Sequence, residues 1–322
     1  MKFIVTGGAG FIGHNVVRQL EKLGHTCFVL DSVTNYGFVN KAELEYLRIE
    51  RLARIKAGVH YVDLREHKQV EDFFRTFSTE CAAVVHLASF PRQKVVSRNP
   101  VWGSEVMSTS LVNLLELIKN YHIPKFVYIS SSMVYGNFKD DVTEDYHCRP
   151  QGQYGIMKLM GEHLVKDYTR RNCFDHVIIR PSAVYGEYDV EDRVVSKFML
   201  AAMRGETLKV NGANEMLDFT YVEDAAAGIV AATLHSNAVN GTYNITKSHS
   251  TSLLQAAGLA IRIAGAGTVQ VGAKDADFPS RGALNINHAK RDFGFNPQVD
   301  VEEGFQRYHD WFKSSPYWKL KI

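Results

Sequence analysis

A chain of 322 residues, 45% hydrophobic and 22% charged, has an ordinary globular composition, and its formal net charge of +2 supplies no long-range field for a nucleic acid or membrane partner. The four cysteines, Cys27, Cys81, Cys148 and Cys173, stand far apart with no C-x-x-C pair, so neither a disulfide framework nor a metal site is expected. No apolar run reaches the roughly 20 residues of a membrane helix. The chain also enters a strand at once, leaving no room for a signal peptide, so a cytoplasmic location is expected.

In chain order, residues 2–6 read as a short buried strand. Residues 12–23 read as a helix with its apolar stripe on Val16, Val17, Leu20 and Leu23. Strand-length apolar runs recur at 27–30, 60–62, 83–87, 125–130 and 176–180, with helical periods near 67–76, 103–120 and 152–171. Continuous apolar strands alternating with helices predict an α/β fold, a Rossmann doubly wound parallel sheet covered on both faces. The connection at 34–58 is long for such a unit, and the spacing of Leu44, Leu47, Ile49 and Leu52 predicts an extra helix there. Beyond residue 181 the pattern loosens into a smaller C-terminal α/β lobe that shapes a substrate site. Residues 305–318 end it as a helix docked on that lobe. The expected division is 1–180, with a contribution from about 218–245, against 181–217 and 246–322.

The first strand runs into Thr6-Gly7-Gly8-Ala9-Gly10-Phe11-Ile12-Gly13, in which Gly7, Gly10 and Gly13 have the spacing G-x-x-G-x-x-G. Residues without Cβ let backbone N–H groups and a helix N-terminus approach a pyrophosphate. Such a run alone also occurs in purely structural turns. Here Asp31 follows at the end of the second strand, where it can accept hydrogen bonds from both ribose hydroxyls and repel a 2′-phosphate. NAD is therefore expected rather than NADP. After the third strand comes Val62-Asp63-Leu64, where Asp63 can serve the adenine amino group or cap the next helix.

The strand at 125–130 ends in Ser130-Ser131-Ser132-Met133-Val134-Tyr135-Gly136, and Tyr154-Gly155-Ile156-Met157-Lys158 opens a helix. A four-residue spacing puts phenol and ammonium on one helix face. A free phenol, with a pKa near 10, is a poor base at neutral pH. A nearby Lys⁺ and an oxidised nicotinamide both favour the phenolate. A serine hydroxyl can then hold the alcohol being oxidised.

Taken together, TGGAGFIG, HLAS, SSSMVYG, YGIMK, RPSAVYG and DFTYVED resemble the extended short-chain dehydrogenase/reductase superfamily, in its NAD-dependent nucleotide-sugar epimerase/dehydratase family of the UDP-glucose 4-epimerase-like kind. The similarity runs from Lys2 to the segment around Arg281 and Phe293. It implies a catalytic Ser131, Tyr154 and Lys158, with Lys158 also on the nicotinamide ribose. It implies that Leu87, Ala88 and Ser89 pass under the cofactor and that Pro181 turns beside the nicotinamide. It further implies a nucleotide-sugar substrate bound between the lobes, with Arg281 reaching its phosphates. A homodimer formed through the helices at 103–120 and 152–171 is also implied.

Within that family, 4,6-dehydratases use an Asp-Glu pair directly after the catalytic Ser/Thr, and decarboxylases place a Glu at the second of these positions. Here the two are Ser132 and Met133, neither an acid or base at neutral pH. C4 epimerisation through a transient 4-keto sugar is therefore expected. The alternatives are a nucleotide-sugar reductase or dehydrogenase, a 4,6-dehydratase and a non-catalytic NAD sensor. Two departures concern the substrate: Ala183 stands where many relatives have an Asn on the diphosphate, and Leu217 where they have an Arg. Arg193 is a candidate replacement, and Ser132 a candidate sugar contact. In Phe90-Pro91-Arg92-Gln93-Lys94, Arg92 and Lys94 could bind a phosphate or uronate, or belong to a solvated loop. His86, Tyr135, Tyr185 and Tyr221 are read as packed or hydrogen-bonded residues.

Overall fold

The computed structural model describes residues 1–37 and 39–319. Seven parallel strands form the central sheet: β1 (Lys2–Thr6), β2 (Thr26–Asp31), β3 (Val59–Tyr61), β4 (Cys81–His86), β5 (Lys125–Ile129), β6 (Asp175–Pro181) and β7 (Gly241–Ile245). Their order is β7-β6-β5-β4-β1-β2-β3, which confirms the doubly wound fold. The connections reverse direction between β1 and β4.

Alternation along each strand divides the core into two layers. Phe3, Val5, Val127 and Ile129 point to one face, where α1 (Phe11–Lys22) supplies Val16, Val17 and Leu20. The helix at Val222–Leu234 adds Ala226 and Ile229 to the same layer. Ile4, Phe126 and Tyr128 point to the other face, covered by α3 (His67–Phe77), the helix Ser110–Asn120 and the helix Gln153–Arg170. Strands buried on both faces need an apolar residue at nearly every position, which is why they read as unbroken apolar runs.

The helix predicted at 103–120 is preceded by short pieces, Gln93–Arg98 and Pro100–Ser104, and carries a π turn at Glu105–Thr109. Pro100 has no N–H to give and disfavours a helical Asn99 (φ −135°, ψ 62°), so one helix ends there and the next begins with proline in its first turn. The predicted extra helix is α2 (Lys41–Leu52), capped by Asn40 Oδ1, which accepts from Ala42 N at 2.8 Å.

The second lobe packs Phe198, Met199, Leu208, Tyr308, Phe312 and Trp318 around the helices Val194–Met203, Leu253–Ala264 and Val301–Ser314. Among the described residues, no helix is long and apolar enough to cross a membrane.

A buried charged network underlies the carboxyl ends of β5 and β6. The Glu162 carboxylate takes two bonds from Arg180, at 2.9 and 2.6 Å, and a third from Ser130 Oγ at 2.6 Å. Arg180 also donates to Tyr135 Oη at 2.9 Å and to the Glu144 carbonyl at 3.1 Å, and Tyr135 donates to Asn244 at 2.8 Å. Removing one partner would leave a buried charge uncompensated. Glu162→Ala should cost about 3–5 kcal/mol in urea unfolding, and Glu162→Met with Arg180→Met much less. A single-variant loss below about 1 kcal/mol would contradict this account of the network.

Candidate active site

A cleft of about 960 Å³ opens at the carboxyl ends of the strands, along the β1/β4 divide and against the second lobe. Every predicted site residue lines it, from Gly7, Asp31 and Asp63 at one end to Tyr154, Arg193 and Arg281 at the other. The glycine turn explains why β1 must end as it does. Gly7 has φ +71°, and a Cβ on it would lie 2.6 Å from Ala88 N. A Cβ on Gly13 would lie 2.1 Å from the Gly7 carbonyl oxygen. Gly10 then begins α1, and no side chain caps that helix, so its first N–H groups open onto the cleft.

Asp31 accepts from Ala9 N at 3.0 Å and Val33 N at 2.8 Å. Burial pushes its carboxyl up, against the pull of those two N–H groups and the Arg51 charge. Asp63 is ion-paired with Arg65 at 2.7 Å, which holds its carboxyl below the usual range. It does not cap the following helix, whose N-cap is Glu66. Leu87 N and Ala88 N both donate to the Thr6 carbonyl, at 3.0 and 3.1 Å, locking the β4 loop against the end of β1. Beneath them His86 Nδ1 meets Thr6 Oγ1 at 2.7 Å, and burial drives its pKa down to about 3, a neutral packed histidine.

At the other end of the cleft, Ser131 Oγ accepts from Met133 N at 3.2 Å and Tyr154 lies at the start of its helix. Lys158 donates to the Ile129 carbonyl at 2.8 Å, with its Nζ 5.8 Å from the centre of the Tyr154 ring. Burial raises the Tyr154 phenol, opposed by Arg193 and then by the Ser131 hydroxyl. Burial lowers Lys158 to about 7, opposed by Glu162 one helical turn on. The ammonium is turned onto a carbonyl, and the cation acting on the phenol is Arg193.

The chain matches the family model for the NAD dependent epimerase/dehydratase family over residues 3–246, three-quarters of its length. It belongs to that family. The UDP-glucose 4-epimerase of Thermus thermophilus, solved with NAD, is 26% identical with a TM-score of 0.86, over 98% of this chain and 100% of that one. The UDP-glucuronic acid 4-epimerase of Bacillus cereus, solved with UDP-glucuronic acid and NAD, is 25% identical with a TM-score of 0.87, over 97% and 98%. UDP-glucuronic acid decarboxylase 1 of Xenopus tropicalis is 28% identical over 97% of this chain and 72% of its own. The protein is therefore an NAD-dependent enzyme of the extended short-chain dehydrogenase/reductase type. Its turn without Cβ atoms, uncapped α1 and Asp31 fit that cofactor.

Other site features were not anticipated. Arg92 is not a solvated side chain; it donates to the Asp192 carbonyl at 2.8 Å and to the Asp192 carboxylate. Lys94 pairs with Asp275 at 2.5 Å. Gln93 is buried and accepts from Tyr154 N at 3.2 Å. Ser132 Oγ donates to Ser182 Oγ at 3.2 Å. Glu162 was detectable, since it repeats the Tyr-to-Lys spacing one turn further along the same face. Gln93, Ser182 and Asp192 had no such signal.

Because Lys158 falls from an ordinary value near 10.5 to about 7, the unfolded chain holds a proton between these pH values that the folded chain has released. In the nucleotide-free protein this group's contribution to stability should rise with pH from about 7 to 10.5. Urea unfolding at pH 7 and pH 9 should show a smaller gain for Lys158→Met than for the wild type. Equal gains would place the titration elsewhere.

Proposed function

We propose that the enzyme interconverts C4 epimers of a nucleotide-linked hexose or hexuronate through a 4-keto sugar. The observation that carries this reading is the pair Ser132 and Met133, both buried directly after Ser131. Ser132 is engaged with Ser182, and Met133 has no titratable group. After oxidation at C4 neither can remove a proton and expel the C6 hydroxyl, so returning the hydride to the opposite sugar face is the step left open.

Ser131 and Tyr154 hold the C4 hydroxyl and take its proton, and the same pair gives it back. Lys158 holds the nicotinamide ribose. Oxidised nicotinamide, when bound, supplies the hydride acceptor and a positive charge that favours the Tyr154 phenolate. Gly7, Gly10, Phe11, Ile12 and Gly13 carry the pyrophosphate, Asp31 the adenosine ribose, and Asp63 and Leu64 the adenine. Leu87, Ala88, Ser89 and Pro181 line the nicotinamide half.

For the substrate diphosphate, Arg193 and Arg281 each keep a buried Nε with no hydrogen-bond partner among the described residues, Arg193 Nε lying 3.7 Å from Asp189. They supply the donors and charge that Ala183 and Leu217 do not. Arg92, steadied by Asp192, borders the sugar. The protein forms a homodimer through the face on which Val112 (39% exposed) and Ile156 (52% exposed) lie, one on each of the two helices expected there.

Proton NMR with UDP-, GDP- and dTDP-hexoses and UDP-hexuronates, without added cofactor, should show one sugar converting to its C4 epimer until equilibrium. Tyr154→Phe should slow this by about 10²–10⁴-fold. A new 6-deoxy methyl signal would overturn the reading in favour of dehydration. Conversion that requires added reduced cofactor would overturn it in favour of a reductase.

A further inference from the structure

The helix inserted after β2 contributes to both halves of the cleft. Leu44, Arg48 and Arg51 of α2 line it, as Asp31 does, although the helix emerges from the cofactor-binding half of the chain. Arg51 is buried, and its Nε and Nη2 both donate to the Tyr188 carbonyl, at 3.0 and 2.6 Å. Tyr188 lies in the loop between β6 and Arg193, with its backbone at φ +69°, a conformation side chains rarely adopt. Two turns earlier on the helix, buried Glu43 accepts the Glu191 N–H of the same loop at 2.6 Å. Just beyond the helix the Arg54 guanidinium lies 4.3 Å from the Tyr188 ring centre. Tyr46 Oη meets Ser315 Oγ at 2.6 Å, tying α2 to the end of the second lobe.

The charges continue in both directions from Arg51. Burial lowers its pKa to about 10, opposed first by Asp189 and then by Asp31. Asp189, in the loop, is buried and lies 3.7 Å from Arg193 Nε. Arg193, Arg51 and Arg92 all act on its carboxyl. One buried cation therefore lines the same cleft as the carboxylate expected to hold the cofactor's ribose and holds the loop that presents Arg193.

We propose that Arg51 is a positioning residue that couples the two ligands: NAD bound at Asp31 steadies Arg51 on the loop, and the loop then presents Arg193 to a nucleoside diphosphate. The coupling rests on the substrate reading given above. It is reciprocal, so the substrate's diphosphate tightens NAD by the same factor. Neither ligand needs to touch Arg51 for this to hold. It requires only that each ligand favours the arrangement in which Arg51 holds the loop.

UDP is the probe. Its Kd is measured calorimetrically on nucleotide-stripped and on NAD-saturated protein, for the wild type, Arg51→Met and Arg51→Lys. For the wild type, NAD should tighten UDP by at least about fivefold, the lower end of usual couplings. Arg51→Met should reduce that ratio below about twofold, and Arg51→Lys, which keeps the charge but not the planar fork, should fall between. A wild-type ratio of one overturns the proposal, as does Arg51→Met weakening both affinities in parallel with the ratio intact. Should the methionine variant fail to fold, a lysine variant with the wild-type ratio is the overturning result. Failure of UDP to bind the wild type in either state would instead sink the nucleotide-sugar reading.

Discussion

The cleft depends on one close approach of two backbones. Where β1 and β4 part, the chain leaving β1 turns through Gly7 and the chain leaving β4 passes over it at Ala88, with both N–H groups of the β4 loop on the Thr6 carbonyl. Helices following these strands go to opposite faces of the sheet, which opens a crevice at the point of reversal. The approach leaves no volume for a Cβ at Gly7 or Gly13. It also aims the first turn of α1 into the crevice and carries Leu87, Ala88 and Ser89 along its floor. The chemical end of the site is placed from the same frame, because β5 lies beside β4 and its carboxyl end delivers Ser130 and Ser131.

Burial sets the electrostatics of that end, and the fold answers it with paired charges. Lys158 and Tyr154 are both pushed toward their neutral forms by loss of water. What opposes this is local: Glu162 for the lysine, Arg193 and Ser131 for the tyrosine. Glu162 is itself held by hydrogen bonds from Arg180 and Ser130. The network beneath β5 and β6 thus does more than fill space: it holds Glu162 one helical turn from Lys158.

The Rossmann half was legible because each of its signals has a single physical origin. A strand buried on both faces must be apolar throughout, and a turn under a second backbone must lack Cβ. An acid at the end of β2 sits at the edge of the nucleotide crevice. Residues 2–31 carry all three. The remaining site residues were legible mainly by resemblance, since Ser131, Arg281 and Pro181 are marked by motifs rather than by periodicity. The polar contacts that join the lobes were illegible for a different reason. Arg92 with Asp192, Arg51 with Tyr188 and Glu43 with Glu191 link residues 100 or more positions apart, and nothing local in either segment announces its partner. The break at Pro100 shows the converse, a local rule present in the sequence that a smooth apolar period concealed.

Relatives of this chain are named as 4-epimerases and as a decarboxylase, so the reading of its reaction has to rest on what surrounds the proposed keto sugar. Elimination and decarboxylation each need a further acid or base held in place, and on this chain the positions next to Ser131 are a hydrogen-bonded serine and a buried methionine. Epimerisation needs no additional titratable group, only room for the sugar to present its other face while the nucleotide stays held. On that reading the second lobe has the task of holding the nucleotide, and Arg193 lines the cleft where Ala183 and Leu217 offer no side chain able to bind a phosphate, a change in how the handle is held that leaves the proposed reaction at C4 unaltered.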